Sequence, residues 1–197
     1  MTSLQKWGKS VRTTIPVMAG YLVLGAGFGI LLRTRGYGLG WALAMSAFIY
    51  AGSMQYVAID LLTGGASLLT TAVTTLLVNA RHLFYGISML ERYRAAGRYA
   101  PYLIFSLTDE TYSLVAARED LAGAECFRIS LLDQLYWVLG TALGSLAGAY
   151  LDFNTTGIDF SLTALFLTVF TEQWLETKDH APALIGLGVS IVCRLLF

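Results

Sequence analysis

Charge is what this sequence has least of: Asp, Glu, Lys and Arg make up 13% of 197 residues, whereas apolar and aromatic types make up 56%. A water-soluble domain carries about 25% charged residues to hydrate its surface, so most of this surface faces membrane lipid. Net charge is lacking too. Thirteen basic and thirteen acidic residues cancel, leaving no basic field for nucleic acid and no polybasic tail for anionic lipid. Cysteine is nearly absent. Cys126 and Cys193 stand far apart, with no CxxC pair and no histidine cluster nearby, so neither a disulfide framework nor a zinc site is expected. With no phosphate loop, HExxH or GxSxG motif either, the chain is expected to have no cofactor, no metal and no catalytic residue.

What is present is a succession of uncharged runs. Residues 13–32 are twenty in number, and as helix they reach about 30 Å, the thickness of the hydrocarbon core. Lys6, Lys9 and Arg12 before them are similar to the start of a signal peptide, but the run is long and lacks a small-residue cleavage site, so it reads as an uncleaved span. Runs 36–59 and 61–80 are separated by Asp60 and a Thr63-Gly64-Gly65 turn, as in a tight helical hairpin, and the third helix is expected to continue past Arg81 and His82 to Met89. Residues 91–99 read as a surface loop and Pro101 as a helix start. Residues 101–117 suit a membrane except for Asp109 and Glu110, 118–128 read as a charged connection, and further apolar segments cover 134–151, 158–174 and 181–197, with a polar loop at 152–159. The expected fold class is all-α: a polytopic integral membrane helical bundle of about 6–7 segments, forming a single transmembrane domain over 1–197.

Two irregularities accompany that outline. If every segment crosses, Lys6, Lys9, Arg12, Arg118, Arg128 and Lys178 lie on one side and Arg33, Arg35, Arg92, Arg94 and Arg98 on the other, six against five. A difference of one cannot orient a protein by the positive-inside rule, so either a broken or re-entrant segment changes the parity or a partner sets the orientation. The first, Gly-rich segment and the carboxylate-bearing fourth are the candidates. A weak internal repeat is the second irregularity. Phe48 to Gln55 and Phe166 to Gln173 share their end residues and are followed by Tyr56 and Trp174, and Gly20-Tyr21 to Gly25 partly matches Tyr136 to Gly140. Such symmetry is left by duplicated transporter halves, or by chance between apolar segments.

Several polar groups fall where lipid should be. A carboxylate near the bilayer centre costs about 2.5 to 3.5 kcal/mol on insertion scales, so Asp109 and Glu110 need a reason. On one continuous helix Ser106, Asp109, Glu110 and Ser113 form a polar stripe facing a cavity. Equally, Thr108 followed by two acids has the form of a helix N-terminus, and a helix beginning there inside the membrane is itself a transporter feature. Thr71, Thr75, Asn79 and His82 share another face, with Arg81 beside them. Arg81 is either an ion-pair partner for Asp109 or Glu110, a seat for a substrate carboxylate, or a snorkelling interfacial residue. His82, whose unperturbed titration lies at about 6.5, is either a proton shuttle or structural. Gly52 and Ser53 are placed to unwind the second helix beside Gln55, which otherwise serves an interhelical hydrogen bond, and Glu172 is a polar point in the repeat. Gly140, Gly144 and Gly148, with Gly25 and Gly29, are a close-packing face, for helices of this chain or for a small partner subunit.

At these residues a family resemblance emerges. Pro16 to Tyr21, Gly25 to Gly29, Ala51-Gly52-Ser53-Met54-Gln55, Leu77 to Gly86 with its Asn79-Ala80-Arg81-His82 centre, and Leu107-Thr108-Asp109-Glu110-Thr111 resemble, in order and spacing, the AzlC-type large subunit of two-component branched-chain amino acid exporters. The resemblance implies export of branched-chain and related apolar amino acids across the bacterial inner (plasma) membrane, coupled to the proton gradient, with a small four-helix AzlD-type subunit. Val23 and Leu24 depart from the Pro-Phe usual there, and the chain ends where relatives continue with more membrane sequence, which reads as a shortened version. The expected substrate or proton pathway is Asp109, Glu110, Arg81, His82, Asn79, Gln55, Gly52, Ser53, Ser106 and Thr108. A non-transporting scaffold subunit and an intramembrane enzyme are the alternatives, the latter supported only by Asp109, Glu110 and His82.

Overall fold

A capping box opens the first helix. Thr2 accepts from the Gln5 backbone while the Gln5 side chain accepts from Thr2, which satisfies two amides otherwise left without partners. The helix α1 therefore spans Ser3–Thr34, ten residues earlier than the uncharged run alone indicates, and continues through Pro16. The structure, a computed structural model, describes residues 2–116, 118, 121–150, 157, 160, 163–164, 167, 170–171, 174–175 and 178–196. Among these, no strand occurs, and the helices after α1 are α2 (Leu39–Phe48), α3 (Gly52–Thr63), α4 (Leu68–Asn79), α5 (Arg81–Ala95), α6 (Ala100–Phe105), α7 (Asp109–Ala116), α8 (Gly123–Tyr150) and α9 (Ala181–Leu196). Two compact units result, 1–156 and 157–197.

In the first unit α1 and α8 are the framework. Their glycines meet: a Cβ on Gly25 would lie 2.8 Å from the Trp137 carbonyl oxygen, and one on Gly140 2.7 Å from that of Leu22. The small-residue face, read from the sequence as packing for helices of this chain or for a small partner subunit, is thus filled from within the chain by α1. Close backbone approach maximises dispersion contact where lipid supplies no hydrophobic drive between helices. Above this seam Tyr21 and Phe28 of α1 pack on Trp137 with ring centroids 5.4 and 6.5 Å apart. A second core joins Met89, Tyr93, Leu103, Leu107, Val115, Leu121, Cys126 and Ile129. At one end of the framework Lys9 pairs with Glu125 at 3.0 Å, and Arg128 and Arg118 donate to Ser10 and Thr13.

By length and composition α1 is the one described helix able to cross a membrane unaided. The expected continuous spans are interrupted. Run 36–59 breaks at 49–51, where Tyr50 adopts a positive φ of 43° and Gly52 begins α3. A Cβ at Gly52 would sit 3.1 Å from the Trp137 ring, which explains glycine there. Run 101–117 breaks at 106–108, so Ser106, Asp109, Glu110 and Ser113 do not form one helical stripe; the helix-start reading is the correct one, with Thr108 Oγ1 accepting from the Thr111 amide at 3.3 Å. The third helix is interrupted at Ala80 and resumes as α5, which runs to Ala95 and converts most of the expected 91–99 loop into helix; a 3₁₀ turn, Gly97–Tyr99, follows. The hairpin turn appears where its residues indicate, Gly64 ending α3 and Gly65 taking φ of 61°. Every residue of α4 escapes burial, and Leu68, Leu69, Leu76 and Leu77 point outward, as suits a lipid-facing element of an all-α membrane protein.

In the second unit α9 exposes Leu184, Ile185, Leu187, Val189, Ile191, Val192 and Leu195. Trp174 stacks on His180, 4.1 Å between centroids, just before it. Residues Phe166, Glu172 and Gln173, on which the second copy of the proposed repeat depends, lie outside the described residues.

Candidate functional site

Ser53, Asn79, Arg81, His82, Ser106, Thr108 and Asp109 all lie at or within three residues of three helix breaks, at 49–51, 80 and 106–108. Each break leaves backbone groups without helical partners and turns side chains away from a regular stripe. From the third break, Asp109 at the first position of α7 reaches Arg81 at the start of α5, Oδ2 to Nη1 at 2.5 Å. The same guanidinium donates to Ser53 Oγ at 2.7 Å, at the second residue of α3. One cation thereby ties together the helices that follow all three breaks. Tyr85 lies beside Asp109 and stacks on Tyr112 at 4.6 Å. Arg81 and Asp109 side chains remain 31% and 33% exposed, so the pair is reachable rather than sealed in a core.

An apolar cleft of about 560 Å³ opens at His82 and Asn79, the sequence neighbours of Arg81, with neither Arg81 nor Asp109 in its walls. Its walls include Ile49, Leu83, Ile87, Ile104 and Phe105, with Asn79, His82 and Arg94 among the polar residues that line it. His82 Nδ1 lies 3.2 Å from the Asn79 carbonyl, across the Ala80 interruption, and the ring is close enough to Asp109 and Arg81 to feel both charges. Hence Asn79, Arg81, His82, Ser53 and Asp109 come together.

The other expected residues go elsewhere. Glu110 and Thr108 turn toward α1, where the Tyr21 hydroxyl is 2.7 Å from each. Ser106 is buried in the break and donates to the Tyr102 carbonyl. Gly52 serves packing against Trp137. Gln55 is fully buried at the helix seam, donating to Ser46 Oγ at 3.1 Å and accepting from Trp137 Nε1 at 2.9 Å, while Ser46 donates to Thr141. This is the interhelical hydrogen-bond role. Gln55→Leu leaves the Trp137 N–H without its acceptor, and the expected result is a loss of about 2 kcal/mol, read as a lowered thermal unfolding midpoint in detergent.

Sequence reasoning misses Asp133. It takes this residue as the boundary of run 134–151, because charges normally mark the ends of spans. In the structure α8 begins at Gly123, ten residues earlier, so Asp133 is carried inside, fully buried, accepting from Thr111 Oγ1 at 2.9 Å. The signal was its flanking sequence, Ile129, Leu131, Leu132 and Leu135, which is apolar on both sides. Tyr21 and Thr111, its partners in the same polar cluster, carry no distinguishing pattern.

Residues 16–151 match the AzlC protein family. The branched-chain amino acid transport protein AzlC of Bacillus subtilis is 46% identical over 189 residues, covering 93% of this chain and 74% of that protein. An uncharacterised membrane protein of Helicobacter pylori is 44% identical, with 93% and 82% covered, and the Escherichia coli inner membrane protein YgaZ is 27% identical, with 89% and 77% covered. No solved structure matches. The broken helices, the Arg81–Asp109 pair and the glycine seam all fall within the matched region, and the chain belongs to the AzlC family.

Proposed function

We propose that this chain exports branched-chain and related apolar amino acids by alternating access across the bacterial inner membrane, driven by the proton gradient, with a small four-helix AzlD-type subunit, and that 1–197 acts as one transporting domain. Its family and the name of the Bacillus relative support the substrate class. The observation that carries the reading is the Arg81–Asp109 pair beside an apolar cleft. An amino acid is a zwitterion, and the group best matched to it is a split ion pair: the ammonium takes Asp109, the carboxylate takes Arg81, and each protein charge exchanges one partner for another. Little electrostatic stabilisation is lost in that exchange, so loading and release are both accessible. The aliphatic side chain occupies the cleft. Because one methylene in such a pocket is worth about 1 to 3 kcal/mol, the carrier handles a group of related side chains rather than one.

Inverted membrane vesicles holding the full chain, with and without the small subunit, test this. Labelled leucine and valine should accumulate with both subunits under an imposed pH gradient, and labelled aspartate and lysine should not. Absence of leucine and valine movement with both subunits present would remove the reading.

A further inference from the structure

Between Glu110 and Asp133 lies an unbroken line of hydroxyls. Glu110 Oε2 is 2.7 Å from the Tyr21 hydroxyl, which is 2.7 Å from Thr108 Oγ1. Thr108 Oγ1 is 3.1 Å from Thr111 Oγ1, and that oxygen is 2.9 Å from Asp133 Oδ2. The three hydroxyl residues and Asp133 are buried, Thr111 and Asp133 completely, whereas Glu110 is only half-buried. Helices α1, α7 and α8 each contribute to the line.

Counting hydrogens decides what it can do. Four oxygen-to-oxygen contacts are served by three hydroxyl hydrogens, since Tyr, Thr and Thr each bring one. With both carboxylates ionised, one contact has no hydrogen, and two oxygens would face each other at bonding distance without one. Asp133 would in addition be a fully buried anion whose Oδ1 receives no hydrogen bond, a costly state. One added proton fills all four contacts.

We propose that Glu110 and Asp133 share a single proton through Tyr21, Thr108 and Thr111, so that Asp133 is an interior proton store reached from Glu110. With the proton on Glu110, its O–H donates to Tyr21, Tyr21 to Thr108, Thr108 to Thr111 and Thr111 to the Asp133 carboxylate. When each hydrogen crosses its own contact, the Glu110 O–H bond breaks and an Asp133 O–H bond forms. Every hydroxyl ends with one hydrogen, and one positive charge has moved from the half-buried end to the buried one. The other titratable and charged groups facing this line are Tyr50, toward Tyr21, Glu110 and Asp133; Tyr102, toward Asp133; and Asp109 and Arg81, toward Glu110. Substrate charge arriving at Asp109 and Arg81 therefore bears directly on which end holds the proton.

The transport arm of the test rests on the proposed function, and the spectroscopic arm does not. Infrared spectra of the full chain in lipid vesicles at neutral pH should show a carboxylic-acid carbonyl band that shifts in heavy water and is lost from the Asp133→Asn, Glu110→Gln double variant. A wild type without the band, or a double variant that keeps it whole, overturns the proposal. In vesicles, Thr111→Val, which keeps shape and removes the hydroxyl, should lower leucine flux driven by a pH gradient about 100-fold. Thr111→Ser should restore it, and Tyr21→Phe should fail at a different link. Equal driven flux in the Val and Ser variants overturns the relay. If the wild type moves no amino acid at all, the proposed function fails, and the infrared result alone judges the shared proton.

Discussion

Arg81→Ala and Asp109→Asn each reduce leucine export at least about 100-fold, and the double variant is little worse than either single one. This is the expected result if the two side chains form one device. A charge-assisted contact to substrate in a partly dry site is worth about 3 kcal/mol, the equivalent of that loss. The stability effect is smaller. Removing one member of a buried pair costs about 3 to 5 kcal/mol, but these side chains are about one-third exposed, and solvent screening brings the expected cost to about 1 kcal/mol. Membrane insertion should therefore survive while export does not. A double-mutant cycle on export rate provides the measurement. Additive losses would mean that Arg81 acts as an interfacial residue and that its contact with Asp109 is incidental.

Gly144→Ile has the largest expected effect on folding. A Cβ at 144 would lie 2.6 Å from the Ala26 carbonyl carbon and Cα, and nearer still to its oxygen. These are backbone atoms in the middle of α1, so no rotamer change relieves the contact. Overpacking of a core costs about 1 to 3 kcal/mol when side chains can adjust; with backbone on both sides the expected cost is about 3 kcal/mol or more. Gly20→Ala is the control, because nothing lies within 4 Å of a Cβ there. The unfolding midpoint and the yield of folded protein in detergent should drop for the first variant and hold for the second. A Gly144→Ile protein that keeps its midpoint but no longer retains a small subunit would return this glycine face to the surface.

How far the amino-acid order alone determines this protein can be judged residue by residue. Scarce charge and long apolar runs settle an all-helical chain in lipid, because unpaired backbone groups and exposed charges are both costly there. Local chemistry settles several boundaries: the Gly64-Gly65 turn, the start of α6 beside Pro101 and the Thr108 cap are each fixed by neighbours within a few residues. The attraction of Arg81 for an acid is legible as well, since a cation and a carboxylate in apolar segments each need a partner.

Which acid, and in which conformation, was decided only in three dimensions. Asp109 meets Arg81 while its neighbour Glu110 turns to Tyr21, because successive residues of a helix point about 100° apart and α1 lies on one side only. The need for glycine at 52, where a Cβ would meet the Trp137 ring, comes from a contact between residues far apart in sequence. Asp133 is the clearest case. In the sequence it marks the edge of an uncharged run, and in the fold it is interior, because α8 starts ten residues before it and Thr111 is brought across to meet it. Periodicity and composition report which residues avoid water; which polar groups are hidden together depends on helix packing, and that is a property of the tertiary structure.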